Sequence, residues 1–297
     1  MKLGAFRFSI ARFFLNRSQK AQLKKQPSLA SYKTFFDVAP FDGAPMTNRY
    51  DVVCAKTNPL GITLIDIHGG AYVTAERKNN HGFMEYFVKK GFDSVLLDYP
   101  LNDGKQGVDD QVRALVNELN HLLANLDEYG IGKRLFLTGD SAGGHFACLL
   151  AEAFCDEKLA NKLGLQTRGH KLSGVLLNCP VYDFGQIGMN SGLTNGTIRL
   201  MFGPMYFDKE KVELHDPRAH VDSLTCPVFI SSCKRDFLIQ QYLTFCGDAE
   251  KLGLDVTKVF LDVDDPKVAH VHNILDLSEE HAVQVNDAMA KFMSDRG

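Results

Sequence analysis

The chain has 297 residues, 45% hydrophobic and 23% charged, with a formal net charge of −3. This composition excludes disorder for the bulk of the chain, and the weak negative charge argues against a nucleic-acid binder. No run of 18 apolar residues occurs, so a transmembrane helix is excluded, and a length above that of one ordinary domain still fits a single large α/β unit with an insertion.

In chain order, the first 36 residues carry Lys2, Arg7, Arg12, Arg17, Lys20, Lys24, Lys25 and Lys33 and no acid, so this end is +8 and the remainder −11. Leu3, Phe6, Ile10 and Phe13 recur at helical spacing and predict an amphipathic helix with a basic outer face. Its arginines interrupt any signal-peptide core, and no small-residue cleavage site follows. The apolar stripe is expected to pack on its own domain rather than lie on a membrane surface. Short apolar runs then predict strands at 50–55, 62–67, 94–98, 135–138, 174–178, 228–232 and 256–261. Helical patterns fall at 81–90, 106–129, 142–155, 238–252 and 278–293. Strand alternating with helix is the signature of an α/β fold with a doubly wound, mostly parallel sheet covered on both faces. Two stretches break the alternation and are expected to form a helical cap. They are residues 1–45 and an insertion at 184–217 rich in Gly, Met and Phe; residues 46–183 and 218–297 then make the core. Seven cysteines without a C-x-x-C spacing support neither a disulfide framework nor a zinc site. They are expected to be reduced, largely buried small hydrophobes of a cytoplasmic protein. No H-E-x-x-H occurs, and His215 and His220, five apart, are expected in solvated loops.

Three segments carry chemistry. Leu135-Phe-Leu-Thr-Gly-Asp-Ser-Ala-Gly-Gly144 contains G-x-S-x-G, between an apolar strand and a helical pattern. That is the context of a nucleophile elbow, where Ser141 occupies a strained turn and the glycines two positions either side avoid collision. The turn aims the Ala142 N–H and a helix N-terminus at the reacting centre. His68-Gly69-Gly70 follows another apolar strand, and Gly69 and Gly70 could add amide donors for an oxyanion. Asp236 lies beyond the strand at 228–232, and His270 and His272 beyond the strand at 256–261, in the chain order Ser, Asp, His. Asp183, Asp262, Asp264 and Asp265 are competing acids.

Together these residues resemble the hormone-sensitive-lipase-like esterase branch (acetyl esterases and carboxylesterases) of the α/β-hydrolase superfamily. That family carries H-G-G-G and G-D-S-A-G; here they read His68-Gly-Gly-Ala71 and Gly139-Asp-Ser-Ala-Gly143, 73 residues apart from His68 to Ser141. Asp98-Tyr-Pro-Leu101 echoes its D-Y-R-L segment and Cys179-Pro-Val-Tyr-Asp183 its S-P-x-x-D segment. The likeness spans roughly residues 60–275. Ala71, Pro100 and His145 depart from the usual Gly, Arg and Asn. The resemblance implies an α/β-hydrolase core with a helical cap, no cofactor, no metal, and hydrolysis of carboxylic esters of short to medium acyl chain. It implies the triad Ser141, Asp236 and His270, with His272 in reserve, and an oxyanion hole of Gly69, Gly70 and Ala142. His68, Tyr72, Met201 and Phe202 are candidate substrate contacts, as are Met189, Leu193, Ile198 and Met205, although such spacing also suits core packing. The expected partner is a small ester, with no nucleic acid and no stable membrane insertion; a homodimer stays open. An amidase or formamidase with the same triad, and a non-catalytic receptor on this fold, are the alternatives.

Overall fold

The computed structural model describes residues 16–190 and 195–296, apart from the side chains of 188–190 and 195–197. The stripe Leu3, Phe6, Ile10 and Phe13, the residue Leu193 and the side chain of Met189 lie outside that description. Eight strands, β1 (Lys33–Val38), β2 (Tyr50–Cys54), β3 (Ile62–Ile67), β4 (Asp93–Leu97), β5 (Arg134–Asp140), β6 (Leu172–Asn178), β7 (Val228–Cys233) and β8 (Val256–Leu261), form one sheet. Their order is β1-β2-β4-β3-β5-β6-β7-β8. From β4 to β8 every pairing is parallel, while β1–β2 and β2–β4 are antiparallel.

Between the strands run α1 (16–23), α2 (His81–Val88), α3 (Val108–Tyr129), α4 (Ala142–Cys155), α5 (Glu157–Leu163), α6 (Phe184–Asn190), α7 (Asn195–Phe202), α8 (Lys209–His215), α9 (Ile239–Leu252), α10 (His272–Leu275) and α11 (Glu280–Asp295). Alternation along each strand sorts the core into two layers. Leu135 and Leu137 of β5 join Leu115, Phe146 and Phe245 from α3, α4 and α9. Phe136, between them, joins Phe83 and Phe87 of α2 and Met289 and Phe292 of α11. This is a doubly wound α/β sheet, as the alternation of elements predicts. Helix α3 begins where the Asp110 carboxylate accepts the Gly107 N–H at 2.9 Å. It ends at Gly130, whose φ of 69° suits glycine.

Strand β1 was not expected. It falls inside the stretch 1–45 assigned to the cap, yet it pairs with β2 from Lys33↔Cys54 to Val38↔Tyr50. Its sequence, Lys-Thr-Phe-Phe-Asp-Val, has no apolar run because it is an edge strand that stays half-exposed. The insertion between β6 and β7 holds α6, α7, a 3-10 turn at Pro204–Phe207 and α8. It is tied down by Asn102 Nδ2 donating to Met201 O at 3.0 Å and by the Lys211–Asp109 ion pair at 2.7 Å. His215 is buried, not solvated: it ends α8 with Nδ1 against Lys211 O at 2.8 Å. Five of the seven cysteines are buried and all are free thiols. No helix among the described residues is long and apolar enough to cross a membrane.

Candidate active site

Ser141 stands between β5 and α4 at φ 54° and ψ −114°, a conformation that side-chain-bearing residues rarely adopt. A Cβ on Gly143 would run into Ile67 O, and one on Gly139 into Gly143 O, so the two glycines are what allows the strand to turn into the helix this sharply. Backbone hydrogen bonds hold the turn: Ser141 N–H donates to Asn178 O at 2.9 Å and Val181 N–H to Ser141 O at 3.0 Å. The elbow therefore sits at the carboxyl end of β5, beside the carboxyl end of β6, where open α/β sheets bind ligands.

The charge partners come from the ends of the next two strands. His270 Nδ1 and Asp236 Oδ1 are 2.7 Å apart. Asp236 also accepts the Leu238 N–H at 2.8 Å and the Ser232 hydroxyl at 2.7 Å. Burial pushes its carboxyl up, but the His270 contact, with those other donors, outweighs burial and holds it below the ordinary carboxylate value. With Nδ1 turned to Asp236, Nε2 is left without a hydrogen bond among the described residues. Cys179, next to Asn178, has its sulfur within 4.8 Å of the facing Asp236 and His270 atoms and accepts the Val271 N–H. A cation at these three groups would have to part an Nδ1 and an Oδ1 already committed to each other. Asp183 is not the partner: it pairs with Arg218 at 2.8 Å. Asp262 and Asp264 are exposed and paired with Lys234 and Arg235. His272 is buried on α10, its Nδ1 against Ala269 O at 3.2 Å.

The glycine loop needs a correction. Gly69 N–H donates to Asp140 Oδ1 at 2.9 Å, so it is spent on the elbow's own aspartate and is no free oxyanion donor. The amides of Gly70, Ala71 and Ala142 make no hydrogen bond among the described residues. The loop bends through three successive positive φ values, 119° at Gly70, 52° at Ala71 and 68° at Tyr72. Such backbone is held only where its surroundings over-determine it. Asn80 is part of that hold, donating to Asp140 Oδ1 at 3.1 Å and Asp66 Oδ2 at 3.0 Å. Burial, then the Asp140 charge, pushes Asp66 up to about 8, which favours its neutral form.

His68 is not a substrate contact. It is fully buried, stacked on Tyr99 at 4.2 Å, with Nδ1 on Gly69 O at 2.7 Å and Nε2 on Asp98 at 3.0 Å. Both partners are acceptors, so both ring nitrogens donate; burial opposes this charge, and Asp98 outweighs it. Asp98 is shared with Arg77, a buried guanidinium that also meets Asp51 at 3.1 Å and Asp37. Sequence reasoning gave no role to Arg77, Asn80 or Asp140; the traces were the polar run Arg77-Lys-Asn-Asn80 and the Asp of Gly139-Asp-Ser-Ala-Gly143. Tyr72 and Phe202 are buried against each other, ring centroids 4.9 Å apart, and Ile198 and Met205 are also buried. These four join the core rather than line an open pocket; of the proposed cap contacts whose side chains are described, Met201 alone is partly exposed.

His145, at the usual Asn position, donates from Nε2 to His215 O at 2.7 Å and leaves Nδ1 without a partner. Burial lowers it to about 3, against about 6.5 in an unfolded chain. Between those values only the unfolded chain takes the extra proton, so stability falls as pH drops through that window. In His145→Asn the acid limb of urea-unfolding free energy against pH should be shallower; an unchanged slope would show that other groups set it.

A parallel-sheet core, an elbow serine and an Asp–His pair at neighbouring strand ends define the α/β-hydrolase class. Residues 53–244 match the BD-FAE family, an esterase-type α/β-hydrolase family, and the chain belongs to it. No curated protein matches the sequence significantly. Among solved structures, esterase B from Lactobacillus rhamnosis superposes with a TM-score of 0.89 at 18% identity, covering 99% of this chain and 95% of that one. A form of it inhibited by a tributyrin phosphonate gives 0.88 at 18% identity, covering 100% and 96%. A bacterial heroin esterase gives 0.71 at 18% identity, covering 98% and 92%. At these identities the likeness establishes the fold.

Proposed function

We propose that this esterase-type hydrolase cleaves carboxylic esters of short to medium acyl chain through Ser141, His270 and Asp236. The observation that carries the reading is the 2.7 Å Asp236–His270 contact, with Nε2 left free, at the same edge of the sheet as the strained Ser141 elbow. His270 takes the Ser141 proton at Nε2 as Oγ attacks the carbonyl carbon. The oxyanion forms against the free N–H groups of Gly70, Ala71 and Ala142, a set that replaces Gly69 by Ala71 and keeps three donors. Asp236, ionised, fixes the histidine tautomer and stabilises the imidazolium. Nε2 then protonates the departing alcohol, and water activated by the same nitrogen releases the acid. No step calls for a cofactor or metal. The phosphonate-inhibited esterase B supports the reading, since such phosphonates mimic the tetrahedral adduct that a serine forms with an ester carbonyl. The cap reading of the insertion is part of the proposal: held over α3 and α4, it would bound the acyl chain.

The test is a panel of p-nitrophenyl esters from acetate to laurate beside matching anilides. The kcat/KM should peak at short to medium chains and be lower by orders of magnitude for anilides. Comparable anilide turnover would favour the amidase reading, and no turnover at all the receptor reading.

A further inference from the structure

Phe237 follows Asp236 directly, and at 75% exposure it is the most exposed large apolar side chain among the described residues. Looseness does not explain this. Asp236 N–H donates to Cys233 O at 3.0 Å, Leu238 N–H to Asp236 Oδ1 at 2.8 Å and Ile239 N–H to Asp236 O at 3.1 Å, so Phe237 is the tip of a tight turn. The neighbouring loop is pinned to it through the Arg235↔Ala269 bridge. The phenyl ring lies on the His270 imidazole, centroids 4.2 Å apart and planes inclined by 43°. A rigid turn thus holds an aromatic face in solvent beside the His270 imidazole, whose Nε2 has no hydrogen-bond partner among the described residues.

We propose that Phe237 is the floor of a subsite for the alcohol portion of the ester, and that this subsite selects aryl and longer alkyl alcohols over small or charged ones. The inference rests on the triad reading. In acylation the C–O bond of the tetrahedral adduct breaks, its electron pair goes to the alcohol oxygen, and that oxygen takes the proton carried on His270 Nε2. It must then lie within about 3 Å of Nε2. The group attached to that oxygen is carried alongside the imidazole, and the tilted Phe237 ring, its centroid 4.2 Å from that of the imidazole, is within the span of a benzyl group. The acyl part leaves with Ser141 instead, its oxygen on the Gly70, Ala71 and Ala142 amides. Phe237 therefore acts on the first half-reaction and is idle in the second, when the alcohol has gone. Apolar contact of this kind discriminates modestly, by about tenfold for a group the size of a benzyl ring.

Methyl butyrate and benzyl butyrate share one acyl-enzyme and differ only in the alcohol, which makes them the probes. In Phe237→Ala the ratio of kcat/KM for benzyl over methyl butyrate should fall about tenfold, with slower acylation by the benzyl ester and an unaltered deacylation rate in single-turnover measurements. Phe237→Leu should fall between. An equal loss on both esters together with slower deacylation would show that the ring only props His270, and an unchanged ratio that it touches no substrate; either overturns the proposal. A wild-type protein that turns over neither ester would instead bring down the triad reading on which it stands.

Discussion

Ser141→Ala is expected to lower kcat by about five to six orders of magnitude, because triad members act as a unit and loss of the nucleophile costs nearly as much as loss of all three. The residual rate, about 10³–10⁴ over water, would come from the free amides and substrate binding alone. Alanine fits the site: Ser141 Oγ makes no hydrogen bond among the described residues, so its loss leaves no buried partner unpaired. Far-UV dichroism and the unfolding midpoint should therefore match wild type. A serine-directed alkyl phosphonate should add its mass to the peptide containing Ser141 and to no other, and should fail to label the alanine variant. Labelling elsewhere, or kcat within tenfold of wild type, would remove Ser141 from the mechanism.

The two histidines of the loop after β8 separate almost as sharply. His270→Ala should cost about five to six orders of magnitude in kcat, as Ser141→Ala does, with Asp236→Asn costing about four because the amide would favour the wrong tautomer. His272→Ala should cost less than about tenfold, an effect of lost packing on α10. His272 is buried with Nδ1 on its own loop, whereas His270 pairs with Asp236 and presents Nε2. Both variants should be compared at saturating substrate, with the unfolding midpoint as a check on fold. An active His270→Ala paired with a dead His272→Ala would exchange the two roles.

How far the sequence spoke for itself depended on how local the physics was. Ser141 was legible because its glycines serve a turn that any side chain would break, and a turn is written in five consecutive residues. Strand counting brought Asp236, and both His270 and His272, to one edge of the sheet, since parallel strands deliver their loops there; only the family resemblance chose between the two histidines. Gly69 was misjudged for the opposite reason: its amide is occupied by Asp140, 71 residues away in sequence, and nothing in His-Gly-Gly says which of the amides is spent. The buried cluster of Arg77 with Asp51 and Asp98 was not legible as a cluster, because charged residues carry no periodicity; only the fold shows that they neutralise one another inside. β1 escaped since an edge strand needs no apolar run. Tyr72 and Phe202 were offered to a ligand because aromatic residues suit both pockets and cores, and burial alone tells the two apart.

The insertion of α6 to α8 leaves the sheet at the end of β6 and returns at β7, the adjacent parallel strand. Exit and re-entry are next-door neighbours, so the sheet sets no length for what lies between; what holds the excursion is its own packing, through Ile198, Phe202 and Met205 in the core and His215 against His145. Ser141 is fixed by β5 and α4, Asp236 by the turn after β7, and His270 by the loop after β8; none depends on how far the chain wanders after β6. On the proposed cap reading, grafting the excursion of a related hydrolase between residues 183 and 218, with the contacts of Asn102, Asp109 and His145 kept, should change the acyl preference and leave the proposed triad in place.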